Sequence, residues 1–293
     1  MNTKYMIFSG FLGSGKTTAM IAMARAVNKR MQREGEASHV AIIANDLGAK
    51  NLVDADYTRT ADVPIDEIPG DCICYITDDL VYHIDRLANA GAGIVVSDIP
   101  GCGVGALNHV YLALKEQYPG KYDLLPLVCL VDPVRLRMIL PQQEDINLPE
   151  EMRFLLNAQL AEADVIVLNK IDLIDDEERE ADLAFIRKAY PDIPVMAMSA
   201  RTGEGDDFVK CSIVGIDYDL EFERKLDHDY SGIAIVVNAR ATCESETFGD
   251  IVEEATDAIK AKWNLKCRVI FTECFGFYDE GRRNGGRASR YDG

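Results

Sequence analysis

The spacing of apolar positions changes period repeatedly along the first two thirds of the chain. An apolar run at 5–9 passes through a glycine-rich turn into a segment with apolar residues at helical spacing, 16–33, and a second apolar run follows at 40–44. The same alternation continues with helical patterns at 78–90, 106–118, 150–161 and 177–190, interleaved with apolar runs at 94–98, 124–131, 165–168 and 195–198. Short strands separated by helices of this length predict an α/β fold, a doubly wound and mostly parallel sheet covered on both faces.

Over 213–230 this periodicity fails and acidic residues cluster, which marks a passage between domains. Beyond it, strand-like runs at 233–238 and 267–271 flank a helical pattern at 248–263, the outline of one further β-α-β unit. The last residues, GRRNGGRASRYDG, set Arg282, Arg283, Arg287 and Arg290 among glycines and predict a flexible tail. The expected organisation is a main domain at 1–218, a small C-terminal α/β domain at 219–280 and the tail at 281–293.

Composition narrows the function. With 31 Lys+Arg against 49 Asp+Glu the net charge is −18, which opposes broad electrostatic binding to nucleic acid or to anionic membranes, so neither is expected as a partner. No apolar run approaches the roughly 18 residues of a spanning helix, and a cytoplasmic location is expected. Eight cysteines in 293 residues is far below a disulfide scaffold, so they read as free thiols or metal ligands. Cys129 lies in a continuously apolar run and reads as core, while Cys211, Cys243, Cys267 and Cys274 have no ligand-like spacing. His39, His83, His109 and His228 are isolated, which disfavours metal storage.

The strongest chemical signal is Gly10-Phe11-Leu12-Gly13-Ser14-Gly15-Lys16-Thr17, a GxxxxGK[ST] sequence between an expected strand and an expected helix. Such a loop turns backbone N–H groups onto phosphates, and the following helix, which continues through Thr18, adds the positive end of its dipole. Lys16 would reach the β- and γ-phosphates and Thr17 would ligate Mg²⁺. Asp98-Ile99-Pro100-Gly101 ends another strand, offering a carboxylate to the Mg²⁺ and, at Gly101, an N–H that could sense the γ-phosphate. Asp46 ends a strand-like run and could face the metal or orient water. Either acid could instead cap its turn.

Base choice follows from Asn169-Lys170-Ile171-Asp172 after the 165–168 run. A carboxylate at Asp172 can accept from both N1–H and the 2-amino group of guanine, a pair that adenine lacks. Asn169 would brace the loop and Lys170 cover the ring. Ser199-Ala200 follows the next strand, where a backbone N–H could donate to guanine O6. These features point to GTP and GDP, with catalysis mainly electrostatic; no arginine finger or water-orienting glutamine is evident, so slow, partner-stimulated hydrolysis is expected.

With these motifs in place the sequence resembles the CobW/HypB/UreG family of P-loop GTPases. GFLGSGKTT resembles its phosphate loop, NDLGAKNLVD (45–54) its second segment, and NKIDL and SARTGEG its base-binding motifs, together covering about 1–205. The resemblance implies a GTPase cycle that controls delivery of a metal ion or cofactor to a client metalloenzyme. Gly70-Asp71-Cys72-Ile73-Cys74-Tyr75 stands where such proteins carry GCxCC, with Tyr75 replacing the third cysteine. Cys72 and Cys74 could bind Zn²⁺, Co²⁺ or Ni²⁺, and Cys102, just after the Asp98–Gly101 segment, is the candidate further ligand that would couple metal affinity to nucleotide state. Two alternatives stay open: a GTPase gating cofactor loading or reactivation of a corrinoid-dependent protein without metal transfer, and a nucleotide-sensing module with negligible hydrolysis. A homodimer also stays open, and the C-terminal domain is expected to recognise the client.

Overall fold

In the computed structural model the described residues are 2–46, 62–69, 72–101, 103–139, 150–205, 271–275 and 287–291. The chain divides into two compact units, the first holding the main sheet and the second a two-stranded sheet.

The main sheet has eight strands: β1 (Thr3–Ser9), β2 (His39–Asp46), β3 (Ile65–Pro69), β4 (Ala92–Asp98), β5 (Tyr122–Leu124), β6 (Val128–Val131), β7 (Val165–Asn169) and β8 (Val195–Met198). Their order is β3-β2-β4-β1-β6-β7-β8, with β5 also on β1, and every pairing in it is parallel. This is the doubly wound α/β sheet expected from the alternating pattern. Neighbours β4 and β6 flank β1 on opposite sides, so the crevice at the switch in strand order opens at the carboxyl end of β1.

Alternation along β1 divides the core. Met6 and Phe8 join one cluster with Met20, Met23, Ala24 and Val27 of α1 (Lys16–Glu34). Tyr5 and Ile7 join the other, with Leu80 and Ile84 of α2 (Thr77–Asn89) and with Val110 and Tyr111. Residues Leu107–Leu112 are π-wound and run into α3 (Ala113–Gln117). That winding brings the Tyr111 hydroxyl to accept from the Ile7 N–H at 2.9 Å, in the stretch of β1 between its pairings with β5 and β6.

Three strand expectations are corrected. The single strand expected at 124–131 is two, because Pro126 has no N–H for a ladder; β5 pairs with Thr3–Tyr5 and β6 with Phe8 and Ser9. The edge strand β3, sequence IDEIP, shows no clear alternation and has no counterpart in the expected elements. Its Asp66 is buried by pairing with His83 and Arg86 of α2. Residues 287–291, expected within a flexible tail, form β10 (Arg287–Tyr291) antiparallel to β9 (Phe271–Phe275); this stretch contains neither Gly nor Pro, so each of its N–H and C=O groups can enter a ladder. The strand and helix expected at 233–238 and 248–263 lie outside the described residues.

Candidate nucleotide site

The glycine-rich turn 10–15 joins β1 to α1 at the carboxyl edge of the sheet. Gly10 has φ 123°, and a Cβ there would lie 2.2 Å from the Leu130 carbonyl oxygen of β6, so the turn can approach its neighbour strand only without a side chain. Ser14 is buried, Thr17 and Thr18 are half-buried at the start of α1, and Lys16 is 8% exposed with Nζ donating to the Gly10 carbonyl at 2.8 Å. The uncapped N–H groups of a 19-residue helix face this turn.

Asn169 ends β7 almost wholly buried and joins two loops. Its Nδ2 donates to the Ser14 carbonyl at 2.9 Å, and its Oδ1 accepts the Ala200 N–H at 3.0 Å. Lys170, left-handed at φ 63°, donates through Nζ to the Gly13 carbonyl. Asp172 stands exposed in the 3₁₀ turn Ile171–Leu173. The motif residues Asn169, Lys170 and Ser14 are therefore in one place.

The Ser199 N–H donates to the Glu204 carbonyl at 2.8 Å and the Ala200 N–H to Asn169 at 3.0 Å. The tight loop 199–205, in which Gly203 N–H also returns to the Ser199 carbonyl at 2.9 Å, uses these donors internally.

On the other side of the turn, Asp98 ends β4 at 9% exposure and its Oδ1 accepts the Asn45 N–H at 3.0 Å. Asp46 ends β2 in register with Pro69; its side chain is outside the described residues. Gly101 lies on the phosphate loop, since a Cβ there would sit 2.5 Å from the Leu12 nitrogen. Two residues of α5 (Glu150–Ala161) and its end, absent from the expected set, hold this segment: Gln159 Nε2 donates to the Gly101 and Gly103 carbonyls at 2.9 and 2.8 Å, and Glu162 Oε2 accepts the Gly105 N–H at 2.9 Å. Gln159 on the helix expected at 150–161 and Glu162 just past its end, two polar residues three apart, were the available signal. Asp132 and Arg135, at the start of α4 (Pro133–Ile139), were missed as well. Asp132 accepts the Val134 and Arg135 N–H groups, and Asp-Pro after a strand is a helix-start signal.

Cys72 and Cys74 lie in the turn after β3. The Asn45 side chain ties this turn to β3, accepting the Ile73 N–H at 3.0 Å and donating to the Ile68 carbonyl at 3.1 Å. Cys72 is half-buried, whereas Cys74 is 8% exposed within the Tyr5/Ile7 core cluster. A hydrogen bond with Cys72 and then burial hold the Cys74 thiol well above its ordinary range. Tyr75 is exposed, its ring 6.1 Å from that of His109. Cys102 lies outside the described residues, and among those described no three His, Cys, Asp or Glu side chains are grouped to hold a metal ion. Cys129 is core as expected, 1% exposed, with burial pushing its thiol up to about 12. No helix among the described residues is long and apolar enough to cross a membrane.

Comparison with known proteins follows the same lines. The profile of the CobW/HypB/UreG nucleotide-binding domain matches residues 4–196. A zinc chaperone of Escherichia coli (strain K12), YeiR, is 27% identical over 181 residues, 61% of this chain and 50% of its own length, so the chain spans about half the length of this curated relative. Among solved structures, HypB from Helicobacter pylori in complex with nickel matches with a TM-score of 0.43 at 16% identity, over 68% of this chain and 80% of its own. Zn(II)-bound YjiA GTPase from E. coli matches with a TM-score of 0.44 at 16% identity, over 78% and 70%.

Proposed function

The chain belongs to the CobW/HypB/UreG family, and we propose that it binds and slowly hydrolyses GTP and uses the nucleotide state to control delivery of a transition metal to a client metalloprotein. The observation that carries the nucleotide half is Asn169: a single buried side chain joins the phosphate loop at Ser14 to the loop after β8, with Asp172 one turn further on. In this reading Asp172 accepts from the guanine N1–H and 2-amino groups and Lys170 covers the ring. Gly10, Gly13, Ser14, Gly15, Lys16, Thr17 and Thr18 line the phosphates.

A hydroxyl and a carboxylate are hard oxygen donors, the kind that Mg²⁺ takes, so Thr17 and Asp98 fit as the residues that would hold it. When bound, the ion offsets charge on the β- and γ-oxygens. Asp98 already accepts the Asn45 N–H, which fixes its carboxylate at the end of β4. Lys16 supplies a positive charge to the phosphates, and Gly101, held by Gln159, would report the γ-phosphate.

The metal is cargo, with Cys72 and Cys74 as its thiolate ligands and Cys102 as a further one. The CxC turn within the matched domain and the name of the curated relative, a zinc chaperone, support this. A divalent cation would lower the affinity of both thiols for their protons, and binding would release protons. A second reading, a GTPase that gates loading of a corrinoid-dependent protein without carrying metal, is favoured by one observation: Cys74 is packed in the core beside Cys72. Calorimetry separates the nucleotide parts of the reading. Preference for GTP over ATP that is lost in Asp172→Asn supports it, and equal affinity for the two nucleotides overturns it.

A further inference from the structure

Arg135 is a mostly buried guanidinium at the phosphate loop with donor capacity left over. Its side chain is 19% exposed, and its Nη2 lies 2.6 Å from where a Cβ on Gly13 would be. Gly13 itself is exposed, with φ 76°, so this face of the turn is open to an arriving anion, and a side chain at 13 would collide with the guanidinium. Nη1 pairs with Asp132 at 3.2 Å, while Nε is buried without a hydrogen-bond partner. Asp132 does not depend on Arg135 alone for neutralisation: it is 1% exposed, accepts two backbone N–H groups at the start of α4, and has Lys170 Nζ at 3.6 Å.

The turn is therefore met by three cations, Lys16 bonded to Gly10, Lys170 bonded to Gly13 and Arg135 against Gly13, with Asp132 as the carboxylate among the last two. Such a local excess stands out on a chain of net charge −18. A planar guanidinium presents two parallel N–H donors to a phosphate, which an ammonium cannot do.

We propose that Arg135 is a phosphate-binding residue of this site, a cation supplied from the same chain that grips the nucleotide's phosphate chain beside Gly13, with Asp132 holding it in position. The inference rests on the reading that 10–17 binds a guanine nucleotide. Asp132 faces Arg135 and Lys170 together, so the start of α4 and the base-reading loop share one carboxylate beside the phosphate turn.

The test measures dissociation constants of fluorescent GDP and of a fluorescent non-hydrolysable GTP analogue, with Mg²⁺, on the full chain. Arg135→Gln should weaken both by about 10- to 100-fold, as loss of a charged hydrogen bond to phosphate does, and Arg135→Lys should recover part of the loss. The double variant Asp132→Asn/Arg135→Gln should stay weak. Affinity within twofold of wild type in Arg135→Gln, or full recovery in the double variant, overturns the proposal; the latter would mean that Arg135 only neutralises Asp132. Thermal melting of each variant shows whether it is folded, and Arg135→Lys decides the matter if Arg135→Gln is not. Wild-type protein that binds no guanine nucleotide would overturn the proposed function instead.

Discussion

The carboxyl edge of the sheet carries two regions that are built differently. At the phosphate turn, side chains reach into backbone: Lys16 to Gly10, Lys170 to Gly13, Asn169 to Ser14 and Ala200. At the cysteine turn, the thiols sit against an apolar face, Cys74 among Tyr5, Ile7 and Leu80. A site for a polyanion can be prepared in advance because its donors are backbone amides and cations that have partners in the protein. Two thiolates cannot be prepared in the same way. Cys74 is buried beside the half-buried Cys72, and its thiol is held well above its ordinary range; a thiolate in that setting needs a cation to compensate its charge, so metal and turn must organise together.

Asn45 connects the two regions. Its backbone N–H binds Asp98 at the end of β4, and its side chain holds the cysteine turn at Ile73. A change at Asp98 is thereby one residue away from the segment carrying Cys72.

Substitutions can break this contrast in graded steps. The largest effect is expected from Gly10→Ala, which forces a Cβ onto the Leu130 carbonyl at positive φ. Strain of at least about 2 kcal/mol should lower the urea midpoint and abolish GTP binding together. Asn169→Ala should leave the fold cooperative but weaken GTP binding about 10- to 100-fold, since a buried side chain joining two loops is lost; calorimetry checks this, and cysteine alkylation should not change. Asn45→Ala should do the reverse. By freeing the Ile73 N–H, worth about 1.4 kcal/mol, it should raise alkylation of Cys72 and Cys74 about tenfold with nucleotide affinity nearly intact. The smallest effect, about 1 kcal/mol in urea unfolding, is expected from Tyr111→Phe, which removes the acceptor of the Ile7 N–H without touching the phosphate turn.

Much of this was legible in the sequence where local pattern and tertiary demand agree. The GxxxxGK[ST] run is bound to a strand before it and a helix after it, and β1 and α1 stand there. The strands β4, β7 and β8 are buried on both faces and so read as apolar runs. What failed was set by partners distant in sequence. β3 is a strand because β2 offers it a ladder and because His83 and Arg86 pair its buried Asp66. Pro126 divides an apolar run that pattern alone joins. Arg135 escaped notice because nothing in VDPVRL says that the helix it opens lies against Gly13.

The central claim is that nucleotide state governs a thiolate metal site. It is tested by titrating the reduced full chain with Co²⁺, in the presence of a non-hydrolysable GTP analogue and then of GDP, while following thiolate-to-cobalt charge-transfer absorbance. The account predicts one-to-one binding that is lost in Cys72→Ser and differs in affinity between the two nucleotides. Absence of a thiolate band in both states, or the same affinity in each, would contradict it.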